Sequence, residues 1–277
     1  MPIANHANPA KMNIESRIRP SWWAEHANFF GPFYLLGDDS VGGHLAALPL
    51  SLDARTRREV AGVRLLARLQ AGERVLDVPC GAGRHAIELA ALGYDVLGVD
   101  LNGAHLEIAR QQASKRNACA VFEQGDMLSL AHDGEFDVVI NMFYSFGFFA
   151  TEEENRRVLS NFRVALKPGG RFLMHTDVNL PRIRSGAYRL TEERRLRAGG
   201  VLRIEERLDE ASRRIEGSWT IILNGTATRR AYSVRVYEVD EFIDLCTSCG
   251  FKKCVAFGNW EGGTYAEESE EVIFVAD

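Results

Sequence analysis

The run Asp77-Val78-Pro79-Cys80-Gly81-Ala82-Gly83 carries the strongest chemical signal in the chain. It follows an apolar segment, Arg74 to Val78, and precedes alanine-rich sequence through Leu92. That order predicts a strand, a tight glycine turn and a helix. Glycines in such a turn let a ligand approach the backbone at the helix N-terminus. The spacing Gly81-x-Gly83-x-x-Ala86 also satisfies the dinucleotide fingerprint of dehydrogenases, so the surroundings must decide. Asp77 ends the predicted strand directly under the turn. A carboxylate there repels a pyrophosphate and attracts an ammonium or sulfonium group, which points to S-adenosylmethionine rather than a nicotinamide cofactor. Asp100 closes the next predicted strand, where an acidic side chain can accept hydrogen bonds from both ribose hydroxyls. Its alternative role is a charge at a helix N-terminus.

Further residues could act on a second substrate. Tyr144, Phe146 and Phe148 follow an apolar run, Phe136 to Met142, at the end of a predicted strand where open α/β sheets bind ligands. Tyr144 and Phe146 are the candidates for the acceptor side, with packing as their alternative role. Trp22, Trp23, Phe30 and Tyr34 crowd an otherwise irregular segment and are candidates for a lid that excludes water. His175, at the end of the fifth predicted strand, is a candidate general base, against the alternative of a buried structural histidine. Tyr144 is the other candidate at the reacting centre. His85 lies in the first turn of the glycine-loop helix and is assigned to orienting a cofactor. Arg182, Arg184, Arg189, Arg194, Arg195 and Arg197 could hold an acidic substrate or form a solvated hairpin face.

These residues need a scaffold. Val60, Val63, Leu66 and Ala67 recur at helical spacing after Asp53, with Gly72 placed to stop the helix. Beyond the glycine turn, Asp95 to Val99 reads as a strand, Gly103 to Arg116 as a helix and Cys119 to Glu123 as a strand. The apolar run to Met142 suits a strand covered on both faces. Thr151 and Glu154 form a capping box before a helix that buries Val158, Phe162, Ala165 and Leu166. Lys167-Pro168-Gly169-Gly170 ends it, and Arg171 to Thr176 resumes as a strand. Alternating β and α segments imply a parallel sheet. From about Val178 to Glu238 the rhythm becomes that of strands alone, with Leu202 to Leu208, Ser218 to Leu223 and Arg230 to Tyr237 as members. The chain then returns through a helix, Asp240 to Cys249, and strands near Lys253 to Phe257 and Glu271 to Ala276. The expected fold is a Rossmann-like, doubly wound, mostly parallel seven-stranded α/β sheet with an inserted antiparallel β cap. Residues 52–178 and 239–277 form the core, 179–238 the cap, and 1–51 an aromatic N-terminal lid segment.

Composition narrows the classes. A chain of 277 residues, 46% hydrophobic and 26% charged, is an ordinary globular enzyme-sized protein. A net charge of −5 opposes binding to a phosphate backbone or an anionic membrane surface. The first thirty residues contain His6, Lys11, Glu15, Arg17 and Arg19 without an apolar core of signal-peptide length, so a cytoplasmic protein is expected. The five cysteines, Cys80, Cys119, Cys246, Cys249 and Cys254, form no disulfide framework. Phe242, Leu245, Cys246 and Cys249 share a helical stripe after the possible N-cap Asp240, which argues for packing, and no histidine stands near to complete a zinc site. No metal is expected.

From about Val75 to Val178 the chain resembles the class I S-adenosylmethionine-dependent methyltransferases. The resemblance implies that Asp77, Pro79, Cys80, Gly81, Ala82 and Gly83 cradle the amino-acid part of the cofactor. It assigns the ribose and adenine edge to Asp100, Leu101 and Asn102, and the adenine amine to Gly125, Asp126 and Met127. Asn141, Met142 and Phe143 resemble the end of the fourth-strand motif, and Leu166 to Gly170 the turn after it. The glycine turn with its Arg84-His85-Ala86 continuation, the Phe143 to Phe149 element and the inserted sheet resemble a bacterial subgroup acting on metabolites, natural products and sometimes peptides. Pro79 and Cys80 depart from the small residues usual there, and the NPPY-type motif of amino-directed DNA and glutamine methyltransferases is absent from Asn141 to Tyr144. The resemblance implies methyl transfer to nitrogen or oxygen of a small molecule by a monomer or homodimer, with S-adenosylhomocysteine as product. The alternatives are a peptide or RNA methyltransferase, an NAD-dependent dehydrogenase, or a non-catalytic module that binds the cofactor.

Overall fold

The computed structural model describes residues 12–14, 21–24, 29–38, 40–41 and 51–277. The early residues weighed for a signal peptide, His6, Lys11, Glu15, Arg17 and Arg19, lie outside them. Strand β1 (Met12–Ile14) precedes helix α1 (Pro32–Asp38) and strand β2 (Ser40–Val41). Helix α2 (Leu52–Leu66) begins at Ser51, whose hydroxyl accepts the Ala54 amide at 3.2 Å. The helix stops before Gly72, because Arg68 turns the chain with φ 51° and the Leu69 amide donates back to the Arg64 carbonyl. Then follow β3 (Arg74–Asp77), α3 (Arg84–Ala91), β4 (Asp95–Asp100), α4 (Gly103–Lys115) and β5 (Val121–Gln124). Strand β6 (Phe136–Asn141), helix α5 (Glu152–Ala165) and strand β7 (Leu166–Thr176) complete the parallel unit, and α5 carries the Thr151–Glu154 capping box.

A short helix, α6 (Leu180–Arg184), opens the insertion, which runs through β8 (Thr191–Leu196), β9 (Val201–Asp209), β10 (Arg214–Leu223) and β11 (Thr226–Arg235). Helix α7 (Val239–Ser248) and strands β12 (Cys254–Phe257) and β13 (Val272–Ala276) return to the core. Asp240 does not cap α7. The cap is Glu238, which exchanges hydrogen bonds with Glu241 in a capping box, so Asp240 falls inside the first turn. The apolar stripe of α7 is also shorter than expected: Phe242, Leu245 and Cys246 are buried, whereas Cys249 is the half-buried C-cap.

The larger sheet has the order β12-β13-β7-β6-β3-β4-β5. Strands β7, β6, β3, β4 and β5 run parallel, and β13 pairs antiparallel with both β7 and β12. Side chains alternate between two cores because strand residues point to opposite faces in turn. Val139 joins Phe162 of α5 and Phe242 of α7 on one face, while Val138 and Ile140 join Val63, Ile87 and Leu106 from α2, α3 and α4 on the other. The sheet is therefore doubly wound, with its ligand edge at the carboxyl ends of β3, β4 and β6.

The second sheet has the order β1-β11-β10-β9-β8-β2. Its four central strands come from the insertion and pair antiparallel. Its edge strands come from the N-terminal segment, β1 parallel to β11 and β2 antiparallel to β8. The two pieces read separately from the sequence, N-terminal segment and insertion, thus share one sheet. Among the described residues no helix is long and apolar enough to cross a membrane.

Candidate cofactor and acceptor site

The turn after β3 is held at both ends by β-strand partners. Val78 donates its amide to the Ile140 carbonyl at 3.0 Å, and Cys80 donates to Val99 at 2.8 Å. Gly83 has φ 78°, and a Cβ there would lie 2.8 Å from both Ala109 Cβ and the Phe122 ring. Its hydrogen atom is what lets α3 approach α4 and β5. Gly81 has φ 55°, and a Cβ there would meet nothing within 4 Å. Open space therefore lies over Gly81, while Pro79 and Ala82 beside it are half-buried. Cys80 is inert: burial pushes its thiol well above the usual range, with Asp77 and Asp100 adding to the effect.

Asp77 is 0% exposed, and neither carboxylate oxygen has a hydrogen-bond partner among the described residues. Burial pushes its carboxyl up to about 7, opposed chiefly by the charge of Arg84. Asp100 is buried too, but its oxygens are engaged: Oδ2 accepts the Gly81 amide and Oδ1 the Asn102 amide, each at 2.8 Å. Burial raises the Asp100 carboxyl while those two amides lower it. Asn102 caps α4 by accepting from Ala104 and His105, and its amide nitrogen donates to the Phe30 carbonyl at 2.9 Å. Leu101 is tied to β5 through its carbonyl, which accepts from Gln124 at 3.0 Å. Gly125 donates to the Asp100 carbonyl at 3.1 Å, Asp126 caps the turn of Met127–Ser129, and Met127 is buried. The segments expected at the adenosine end are thus connected through Asp100.

At the end of β6, Asn141 is fully buried, and its amide nitrogen donates to the Val78 carbonyl at 2.8 Å and the Ser145 carbonyl at 3.2 Å. Met142 is buried beside it. Phe143 and Tyr144 then take left-handed backbone angles, φ 59° and 55°. Two bulky residues in that region are strained, and such strain concentrates at functional sites. The Tyr144 amide donates to the His175 carbonyl at 3.0 Å, and its hydroxyl donates to the Arg235 carbonyl of the cap at 3.3 Å. Burial holds that hydroxyl well above the usual tyrosine range, with Glu206 adding to it, so it stays protonated.

His175 is 0% exposed. Its position in β7 matches that of Leu173, so it faces the α2 side of the sheet, with Phe143 at 5.0 Å, Trp260 at 4.9 Å and Glu271 at 3.5 Å. His85 is buried as well, and its Nε2 stands 2.9 Å from Glu59. Phe146 turns into the core against Phe242 and Tyr237, at 5.5 and 5.6 Å between rings. Phe148 of the same loop meets the N-terminal aromatics, 5.0 Å from Trp22 and 5.8 Å from Phe30. Trp22 also donates to the Ser233 carbonyl at 2.9 Å, Trp23 packs 5.0 Å from Phe149, and Tyr34 stacks 5.3 Å from Trp219. The segment thereby joins the cap to the Asp100–Asn102 loop.

The inner face of the cap adds residues that the sequence did not single out. Glu206 accepts from Tyr188 at 3.2 Å and from Tyr232, and with Asp177 it acts electrostatically on Tyr144 and Tyr188. The signal was hidden because these groups come from β9, β11 and two loops. Arg184 is bound to Glu210 and Glu238, and Arg182 stands 3.6 Å from Glu270. Arg194 pairs with Glu192 at 2.7 Å.

The family model for a methyltransferase domain matches residues 75–170. A ubiquinone biosynthesis O-methyltransferase of Ruegeria pomeroyi is 32% identical over 173 residues, 60% of this chain and 62% of that one. The CcbJ methyltransferase from Streptomyces caelestis shares the fold with a TM-score of 0.69 at 21% identity, covering 82% of this chain and 92% of that one. An amino pentose methyltransferase from Micromonospora echinaspora involved in calicheamicin biosynthesis, solved with S-adenosylmethionine bound, has a TM-score of 0.59 at 21% identity over 85% of this chain and 97% of that one. With the glycine turn between two strand-end aspartates and this domain match together, residues 75–170 are a methyltransferase domain, similar to those that use S-adenosylmethionine as cofactor.

Proposed function

We propose that the chain methylates nitrogen or oxygen of a small molecule held between the carboxyl edge of the parallel sheet and the β cap. The observation that carries this reading is Asp77, a buried carboxylate with two unpartnered oxygens at the end of the strand that leads into the Gly81 turn, over which space is open. The donor set fits S-adenosylmethionine. Asp77 faces an ammonium, the backbone from Pro79 to Gly83 lines its amino-acid part, and Asp100, with Leu101 and Asn102, takes the ribose. Gly125, Asp126 and Met127 border the adenine, and Asn141, Met142 and Phe143 form the floor. His85 orients the first turn of α3. The cofactor supplies a methyl group on a sulfonium, whose sulfur leaves with the electron pair.

What the protein adds is alignment and exclusion of water. The strained backbone at Tyr144 sets that ring against the cap, and the aromatics Trp22, Trp23, Phe30 and Tyr34 of the N-terminal segment act as the lid. The acceptor side presents Tyr144, Tyr188 and Tyr232 with Glu206 and Asp177, which suits an acceptor rich in hydroxyl or amine donors. The likeness to an amino pentose methyltransferase supports the same class. Arg182 and Arg184 serve the surface of the cap rather than an acidic substrate, since carboxylates already engage them. His175 packs and positions, and Phe146 shapes the loop from the core side. A neutral amine needs no base for the bond-making step.

Methyl-labelled S-adenosylmethionine incubated with the protein and a panel of small amines and hydroxyl compounds tests the reading by mass spectrometry. Label on a small acceptor supports it. Transfer only to peptide or RNA overturns the acceptor class, and binding of NAD in place of S-adenosylhomocysteine overturns the methyltransferase reading.

A further inference from the structure

Glu206 on β9, Gly217 on β10 and Tyr232 on β11 stand opposite one another across three antiparallel strands of the cap. Residues directly opposite in neighbouring strands share one face of the sheet. Gly217 leaves the middle position empty, and a Cβ there would lie 2.6 Å from the Tyr232 hydroxyl oxygen. The Tyr232 ring therefore crosses β10 and gives its hydroxyl proton to Glu206 Oε1. Tyr188, between α6 and β8, gives its proton to Oε2 at 3.2 Å. Trp22 and Phe29 pack against the Tyr232 ring at 5.7 and 5.4 Å between centroids and hold it in place.

A tyrosine has one proton to give, so the direction of these bonds decides what the cluster offers a ligand. Burial holds Tyr144, Tyr188 and Tyr232 well above the usual tyrosine range, with Glu206 adding to each, so all three are protonated. Two of their protons go to Glu206, and that of Tyr144 goes to the Arg235 carbonyl at 3.3 Å. Arg214, whose charge acts on Tyr144, spends its donors on the Phe149 carbonyl and on the hydroxyl and carbonyl of Ser233. The cluster thus presents lone pairs and negative charge rather than protons, which is complementary to a group that donates N–H bonds.

The same arrangement separates nitrogen from oxygen as the attacking atom. An oxygen acceptor must shed its proton, and a carboxylate already bonded by two hydroxyls is a weakened base that also repels an alkoxide. An amine attacks with its lone pair and keeps its protons. The new bond joins nitrogen to the methyl carbon, the carbon–sulfur bond breaks with its electron pair left on sulfur, and one positive charge moves from sulfur to nitrogen. A carboxylate beside that nitrogen favours the movement.

We infer that the acceptor is an amine, and that Glu206, held by Tyr188 and Tyr232, selects it over a hydroxyl compound by accepting its N–H bonds. This rests on reading the inner face of the cap as the acceptor side.

Ligand-observed magnetic resonance on the full chain saturated with S-adenosylhomocysteine tests this with two matched probe pairs, benzylamine with benzyl alcohol and glucosamine with glucose. At least one amine is expected to bind about tenfold tighter than its hydroxyl partner at pH 7, the size of a charge-assisted hydrogen bond. Glu206→Gln keeps the side-chain shape, brings that ratio towards one and leaves S-adenosylhomocysteine affinity within about twofold, while Glu206→Asp retains part of the ratio. Tyr232→Phe loosens Glu206 without removing its charge and lowers the ratio about threefold, which keeps the test decisive should Glu206→Gln fail to fold. Equal binding within both pairs, binding of no probe, or an undiminished ratio in either variant overturns the inference. Methyl label found only on hydroxyl compounds overturns the amine and leaves small-molecule methylation standing. A wild type that does not bind S-adenosylhomocysteine overturns the cofactor reading, and this inference with it.

Discussion

The main-chain amide of Gly81 donates to Oδ2 of Asp100 at 2.8 Å and so ties the turn after β3 to the end of β4. Oδ1 of the same carboxylate accepts the Asn102 amide, also at 2.8 Å. One side chain sets the spacing of two loops and keeps further lone pairs, which the proposed function gives to a ribose. Asp100→Ala is therefore expected to weaken S-adenosylhomocysteine binding by about tenfold or more, since hydrogen bonds to a charged group are lost. Calorimetry on a variant shown to be folded by circular dichroism checks it, and unchanged affinity removes Asp100 from the site.

Asp77 gives a pH signature. Its carboxyl is pushed from 3.8 up to about 7 by burial, with Arg84 opposing the shift and Asp100 contributing to it. Between those values the folded state binds more protons than the unfolded one, so stability falls as pH rises through this window, and the cost is fully present above it. Asp77→Asn should stabilise the ligand-free chain by an amount on the order of 3 kcal/mol near pH 8 and very little near pH 4. Urea denaturation at both pH values measures this. Cofactor affinity runs the other way, because the ammonium needs the ionised carboxylate: wild-type affinity for S-adenosylhomocysteine rises through pH 7 and Asp77→Asn flattens the rise.

The two turn glycines separate packing from binding. Gly83→Ala places a methyl group 2.8 Å from Ala109 and Phe122 with φ at 78°, so a loss of about 2–4 kcal/mol of stability is expected. Gly81→Ala meets open space at φ 55° and should lose only about 1 kcal/mol, yet its methyl group enters the space proposed for the ligand. Melting curves paired with calorimetry should show Gly83→Ala failing first in stability and Gly81→Ala first in S-adenosylhomocysteine binding. The reverse order would contradict the assignment.

Asn102 joins three structures: the loop after β4, helix α4, which it caps, and the N-terminal segment through the Phe30 carbonyl at 2.9 Å. Asn102→Ala removes a cap worth about 1 kcal/mol. It should also release the aromatic segment, seen as faster limited proteolysis before residue 51 than in the wild type. Identical cleavage rates would mean that aromatic packing alone holds the segment.

Much of this was readable from local pattern. The glycine turn, the strand-end positions of Asp77 and Asp100, the Thr151–Glu154 box and the strand-only rhythm of the insertion all depend on residues within one or two turns of one another. Glycine spacing and hydrophobic period report such local constraints directly. They also placed the sheet that carries the site, because alternating β and α segments have few ways to pack.

Tertiary structure decided what depends on pairing across the chain. The end of β7 marked His175 as a candidate base, but strand alternation turns it to the α2 face, under Phe143 and Trp260. Arg184 looked available in the sequence, yet Glu210 and Glu238, from other elements, engage it. Arg55 and Glu59 stand on α2 and Arg84 on α3, and only the packing of these helices brings the two arginines together over Phe143 beside Glu59. The N-terminal segment and the insertion become one sheet only because β1 and β2 find the edges of β11 and β8. A residue's type and its neighbours in sequence set which local conformations it favours and which face of a strand or helix it shares with them. Which charges meet, and which stay unpaired for a ligand, is set by the packing of elements far apart in the chain.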